Sequence, residues 1–297
     1  AIVYVDLSDF IPGFVPYWQN GIGDMAITEG YYAKVNQATV LSASGSPAEL
    51  PLDISLTNGW NIISYPAQYS QDALSEDGDG VLSGVLAELA TEGSLVKVQN
   101  EQGQAIVYVD LSDFIPGFVP YWQNGIGDFD PSEGYYVKVN QATTLTIDEG
   151  GMARIDNEEE KIDPIYFQPD FIGNPYLPMN LYIVHARIDG NQVLSGMEVG
   201  VYDNGICVGS AVFTDSFAEG ISLLSIPVAM DDPTTDVLDG YISGNQADIR
   251  IWDGEKEHAV DVGLTFEAQG TEFVSLDAIT VPDMYKLYAN YPNPFNP

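Results

Sequence analysis

The first 41 residues return almost unchanged 104 positions later. Residues 1–41 and 105–145 share 35 of 41 positions, and the first 24 are identical without a break. Two stretches this alike carry the same local preferences, so any structural difference between them must come from what packs against each. The second copy follows residues 50–104, which have no counterpart before the first. One whole unit therefore runs from about Leu50 to Ile147, and residues 1–41 are the second half of another.

That arithmetic creates a mismatch, because the chain holds two second halves and one first half. Strands expected at residues 2–5 and 31–35 would keep open hydrogen-bonding edges and uncovered apolar faces, a poor outcome for a small module. Three remedies fit: repeats upstream in a longer polypeptide, exchange between the near-identical halves, or a strand supplied by a neighbouring molecule. The absence of an initiator Met and of a signal peptide adds the expectation of a processed or partial product.

Within the unit, residues 52–65 read as a strand pair or long strand interrupted at Asn58-Gly59. Val81, Leu82, Val85, Leu86 and Leu89 fall at helical spacing and predict a short amphipathic helix over residues 81–90. Residues 95–98 and 106–109 read as strands around a polar turn, and residues 134–147 as one further strand. The Pro-rich, aromatic stretch PGFVPYWQNGIGD reads as a loop. Residues 152–163 are charged and poor in apolar residues, which suits a linker. Seven or so short apolar runs then recur with turn signals such as Asp189-Gly190, Asn204-Gly205 and Asp253-Gly254, the pattern of a β-sandwich. Prolines at 292, 294 and 297 make the end of the chain extended edge or linker material.

Composition narrows the partners. Nine Lys and Arg stand against 44 Asp and Glu, a formal net charge of -35. The imbalance is similar on either side of Met152, so the whole surface is acidic and repels nucleic acid and anionic membranes. Such a surface suits saline or calcium-rich extracellular surroundings. No apolar run is long enough to span a bilayer as a helix. The single cysteine, Cys207, excludes an intrachain disulfide framework and reads as a small buried hydrophobe.

Chemistry-bearing patterns are sparse. His185 and His258 have no ligand-spaced companions and read as ordinary strand residues. Neither a nucleophile elbow nor a phosphate loop is present. Asp77 and Asp79, with Glu76 in SEDGDG, are hard oxygen donors that suit calcium, although the EF-hand pattern is incomplete. Phe14, Tyr17 and Trp18, with their duplicates Phe118, Tyr121 and Trp122, either stack on sugar rings or serve packing and self-contact.

The end of the chain, LYANYPNPFNP, closely resembles the opening motif of the C-terminal sorting domain of type IX secretion substrates, which are secreted and cell-surface proteins of certain Gram-negative bacteria. GMEVGVYDNGICVGSAVF and GNQADIRIWDG look like a β-sandwich module often placed before such sorting domains. GWNIISYP with EGYYVKVNQATTLTI resembles repeats in the same multidomain surface proteins. These resemblances imply export and surface display, and no particular chemistry.

The expected fold is mostly β: α+β tandem repeat modules, an immunoglobulin-like β-sandwich and an extended C-terminal segment. The boundaries are 1–46 for the incomplete repeat, 47–151 for the complete module, 152–163 for the linker, 164–281 for the sandwich and 282–297 for the tail. The expected function is that of a non-enzymatic, secreted structural protein without a cofactor, polymerising head to tail with copies of itself to build an extracellular filament, sheath or surface layer. Expected contact residues are Ile2, Tyr4, Phe14, Tyr17, Trp18, Tyr31, Tyr121, Trp122, Tyr288, Tyr291 and Phe295. The alternative is a carbohydrate-binding or adhesive region of a larger secreted protein or enzyme, with polysaccharide as the partner of the Tyr-Trp pairs.

Overall fold

The computed structural model describes residues 1–150 and 162–279 apart from 36, 43, 78 and 221. Linker positions 152–161 and the tail 282–297, with Tyr288, Tyr291 and Phe295, lie outside the described residues. The chain divides into two units, Ala1–Asn157 and Glu158–Pro297. Both are built mostly of strands, with two short helices among the described residues.

In the first unit, β1 (Ile2–Val5) and β2 (Tyr17–Asn20) form an antiparallel hairpin that pairs with no other named strand. The first half of the complete repeat follows as β3 (Leu52–Leu56), β4 (Gly59–Ser64), β5 (Gln71–Asp72), β6 (Ser75–Glu76), β7 (Leu82–Ser83), α1 (Ala87–Thr91) and β8 (Leu95–Gln99). Its second half is β9 (Ala105–Val109), β10 (Tyr121–Asn124), β11 (Asp128–Phe129), β12 (Gly134–Val139) and β13 (Thr143–Ile147). A five-stranded sheet of order β10-β9-β8-β12-β4 forms the body, accompanied by the pairs β3–β13, β5–β11 and β6–β7.

The two halves are interleaved. Of the seven strand pairings in the complete repeat, five join a first-half strand to a second-half strand: β3–β13, β4–β12, β5–β11, β8–β12 and β8–β9. The core is divided in the same way. Its nineteen buried apolar residues include twelve from the first half, among them Ile54, Leu74, Leu86 and Val98, and seven from the second, among them Ile106, Phe129, Tyr135 and Val137. A second half by itself therefore has less than half of a core.

Several local expectations change once this packing is visible. The predicted helix over residues 81–90 shrinks to α1, because Gly84 lies at φ +96° and turns the chain where a helix would continue. A Cβ there would also stand 2.6 Å from the Asp72 carbonyl oxygen. The strands around Asn58-Gly59 form, but they are not a hairpin, since β3 pairs with β13 and β4 with β12. Residues 134–147 make two strands instead of one. The break falls at Asn140, whose amide groups bond back to the carbonyls of Ser94 and Gly93. The aromatic loop contains a strand, β10, because Trp122 and its neighbours find β9 alongside.

The second unit carries β14 (Met179–Ile188), β15 (Asn191–Gln192), β16 (Glu198–Asp203), β17 (Ile206–Val212), the short helix α2 (Asp215–Ala218), β18 (Leu224–Val228), β19 (Asp248–Trp252), β20 (Glu257–Val260) and β21 (Thr271–Ala278). One sheet has the order β15-β14-β18 with β21 parallel to β14; the other has the order β17-β16-β19-β20. A single cluster including Leu181, Ile183, Val201, Val208, Ile249 and Leu276 draws on both sheets, so they enclose one core. The apolar run at residues 264–266 forms only an isolated bridge, Gln246 with Thr265. Conversely β20 was not legible, because its residues Glu257, His258 and Ala259 lack an apolar alternation.

Glu198 anchors the start of this unit. Its carboxylate, nearly buried, accepts hydrogen bonds from the backbone N–H groups of Ile165, Tyr166 and Phe167 at 2.9–3.1 Å. Tyr166 in turn stacks on Trp252 with ring centroids 3.8 Å apart. Another carboxylate, Asp253, sits 2.6 Å from Nε2 of the buried His258. Burial would raise the Asp253 carboxyl, but hydrogen bonds from His258 and from the Lys256 and Glu255 amides outweigh it and hold the carboxyl at about 2.

Two outcomes follow. Ile106 is 0% exposed and its duplicate Ile2 is 42% exposed. In urea unfolding, Ile106→Ala should cost about 2–5 kcal/mol, whereas Ile2→Ala should stay within about 0.5 kcal/mol. The lowered Asp253 carboxyl stabilises the fold above the ordinary aspartate value of 3.8, and the contribution disappears as pH falls towards about 2. Asp253→Asn should accordingly flatten the acid limb of the stability-against-pH curve between those values, as read by denaturant midpoints.

Candidate functional site

The hairpin of residues 1–24 takes its shape from local contacts. In the first copy Gly21 N–H bonds to the Ala1 carbonyl at 2.8 Å; in the second Gly125 N–H bonds to the Ala105 carbonyl at 2.9 Å. Amides of Phe10 and Ile11 bond to the Leu7 carbonyl, as those of Phe114 and Ile115 bond to that of Leu111. Asn20 Oδ1 accepts from the Ile22 and Gly23 amides, and Asn124 Oδ1 from those of Ile126 and Gly127. Asp6 and Asp110 each accept from the amide two residues on, Ser8 and Ser112, and each carboxyl is lowered by hydrogen bonds to that serine.

Ring geometry repeats as closely. Tyr4 and Trp18 have centroids 5.3 Å apart at 56°, and Tyr108 and Trp122 5.4 Å apart at 59°. Phe14 with Tyr17 and Phe118 with Tyr121 differ by 0.1 Å and 2°. Even the turn beyond is shared: the Ala26 amide donates to Tyr31 Oη and the Asp130 amide to Tyr135 Oη, each hydroxyl donating to a glutamate, Glu29 or Glu133.

What differs is the cover. In the complete repeat β8 lies along β9 with Lys97 opposite Val107, Val98 opposite Ile106 and Gln99 opposite Ala105, and β12 lies beyond β8. The equivalent edge of β1 has no strand among the described residues. No described residue before Ile54 is buried. Val3 is 45% exposed where Val107 is 3%, and Val35 is 57% exposed where Val139 is 1%. Residues 31–35, expected as a strand, are not one, although Gly134–Val139 is. A strand with this sequence forms only when β4-like and β8-like neighbours flank it.

The half repeat is nevertheless attached to β4. Gly30 N–H donates to the Ile62 carbonyl at 3.0 Å, and Ser64 Oγ donates to the Ile27 carbonyl, so residues 27–30 meet the outer side of β4. A Cβ on Gly30 would stand 2.5 Å from the Ile63 carbonyl oxygen, so the approach needs glycine.

The expected contact residues thus separate into groups. Ile2, Tyr4, Tyr17 and Trp18 are exposed on the first hairpin, and Phe14 and Tyr31 are half-buried. Their duplicates Tyr121 and Trp122 border an open cleft of about 290 Å³ with Leu74, Ser75, Glu76, Asp77 and Asn124. The acidic turn and the aromatic pair, separate in sequence, are therefore neighbours. Glu76 Oε2 accepts from the Trp122 amide at 3.1 Å, and burial pushes the Tyr121 hydroxyl up. The part of Glu76 in joining turn to hairpin was missed, because it depends on a contact 46 residues away.

For calcium the cleft offers a partly engaged donor. Asp77 Oδ1 already accepts from the Asp79 and Val81 amides, closing the β6–β7 turn. Among the described residues no group of three or more His, Cys, Asp or Glu side chains is arranged to hold a metal ion. Cys207 is buried, and burial pushes its thiol up to about 11, away from thiolate chemistry at neutral pH. His185 contacts Ser275 at 3.2 Å and Asp277 at 3.9 Å. No helix among the described residues is long and apolar enough to cross a membrane.

The Gly30 attachment can be tested directly: Gly30→Val should speed exchange of the residue-30 amide by on the order of tenfold or more, as followed by nuclear magnetic resonance, with the unfolding midpoint of the complete repeat unchanged. Set against this geometry, comparison of the chain with protein-family models, curated proteins and solved structures finds no match.

Proposed function

We propose that this chain is a non-enzymatic structural subunit, exported to the cell surface or beyond it, that assembles head to tail by completion of its half repeat. One observation carries the reading: the hairpin β1–β2 holds the same geometry as β9–β10, while the strand-pairing edge and apolar residues that β9 buries remain uncovered. A preformed surface of this kind binds with little ordering cost. Addition of a strand to its edge is the corresponding recognition mode. Contacts between unlike patches of identical subunits propagate instead of closing into a dimer, which suits a filament or surface layer. The acidic composition and the resemblance of residues 287–297 to a type IX sorting motif support export.

A second reading has its own observation. Tyr121 and Trp122 stand beside Glu76, Asp77 and Asn124 in the open cleft, an aromatic platform with polar edges that suits a sugar ring. Carbohydrate would then occupy the complete repeat, and assembly would be secondary.

Sedimentation velocity and negative-stain imaging separate these. The full chain should form concentration-dependent linear assemblies, and a chain lacking residues 1–41 should be monomeric. The truncation leaves the complete repeat intact, since every buried residue among the described residues of the first unit lies at Ile54 or later. Equal assembly by both chains would sink the proposal.

A further inference from the structure

The open cleft beside β10 joins an aromatic wall to an acidic one. On the aromatic side Trp122 is half-buried against the core and leans on Tyr108 with ring centroids 5.4 Å apart, which fixes its ring; Tyr121 stands exposed next to it in sequence. Asn124 is fixed as well, since its side-chain nitrogen donates to the Leu74 and Gly127 carbonyls. A wall set in this way loses little freedom when a ligand lies on it.

The acidic wall has no counter-ion of its own. Glu76 Oε2 accepts from the Trp122 amide and Asp77 Oδ1 from the Asp79 and Val81 amides, which leaves Glu76 Oε1 and Asp77 Oδ2 without a hydrogen bond to any described residue. No Lys, Arg or His among the described residues forms an ion pair with either carboxylate. Calcium is a poor match, because it takes about six to eight oxygens and, among the described residues, no third acidic side chain joins these two. An ammonium group needs no such shell, and its three donors can meet the two open oxygens. Beside an aromatic ring the same cation is attracted a second time.

We infer that this cleft binds a protonated amino sugar, with the sugar ring against the aromatic wall and the ammonium group between Glu76 and Asp77. The inference rests on the carbohydrate reading and names its ligand class. Size agrees with it: a cleft of about 290 Å³ lies at the lower end of ligand pockets, roughly 300–1,000 Å³, which suits a single sugar ring and not a folded partner. Sugars that carry carboxylate or sulfate groups meet the same acidic wall, within a chain of net charge -35, and are repelled.

Calorimetric titration of the full chain tests it at about pH 6, where carboxylates are ionised and amines protonated. The probes are a glucosamine tetramer and its fully N-acetylated, uncharged equivalent. The glucosamine tetramer should bind at least about fivefold more tightly, and its advantage should shrink as salt is raised. The double variant Glu76→Gln with Asp77→Asn keeps oxygens for the Trp122, Asp79 and Val81 amides and removes only the charge. It should bind both tetramers alike, with the affinity that the unaltered chain has for the neutral one. Equal binding of the two tetramers by the unaltered chain, or a preference that survives in the double variant, would overturn the inference and leave the carbohydrate reading standing. Polylysine that binds more tightly than the glucosamine tetramer, with the same dependence on Glu76 and Asp77, would assign the cleft to a basic peptide and overturn it too. Binding of neither tetramer, nor of any other glycan on an array, would remove both.

Discussion

The pairing of β8 with β9 is the interaction on which the first unit depends. It joins the two halves of the repeat at the centre of the five-stranded sheet and brings Val98 beside Ile106 at the core. On its other side β8 carries β12, which in turn holds β4. Without β8 the second-half strands lose both their hydrogen-bonding neighbour and the residues that exclude water from their apolar side chains. The first hairpin shows this condition within the same molecule. It keeps every local hydrogen bond of its duplicate, yet its valines and isoleucine stay wet.

The choice that β8 makes between two nearly identical partners has a simple cause. A short turn over residues 100–104 connects it to β9, closed by Asn100 bonding with Gln104. Reaching back to β1 instead would close a loop roughly eighteen times longer, and that difference costs about 2.5 kcal/mol in chain entropy. Loop closure, not side-chain preference, selects the second copy.

The duplication and the mostly-β character were legible in the sequence because they depend on identity, composition and period. Strands such as β9, β14 and β17 carry enough apolar residues to declare themselves. The misreadings had a common source, in that each concerned a segment whose state is decided by a distant partner. Residues 81–90 have helical spacing, but Gly84 fits against Asp72 and stops the helix. Residues 31–35 and 135–139 differ at one position, Ala33 against Val137, and take different states because only the latter lie between two strands. The aromatic pairs were visible as candidates, whereas the neighbouring acidic turn could not be joined to Trp122 without coordinates.

Identity between the hairpins also bears on the order of events during synthesis. Chains fold from the N-terminus as they emerge, so residues 95–99 leave the ribosome when the first hairpin is already out and the second is not. The first hairpin is thus a copy of the native partner of β8 that is present earlier, and the shorter loop to residues 105–124 favours the second copy once it arrives.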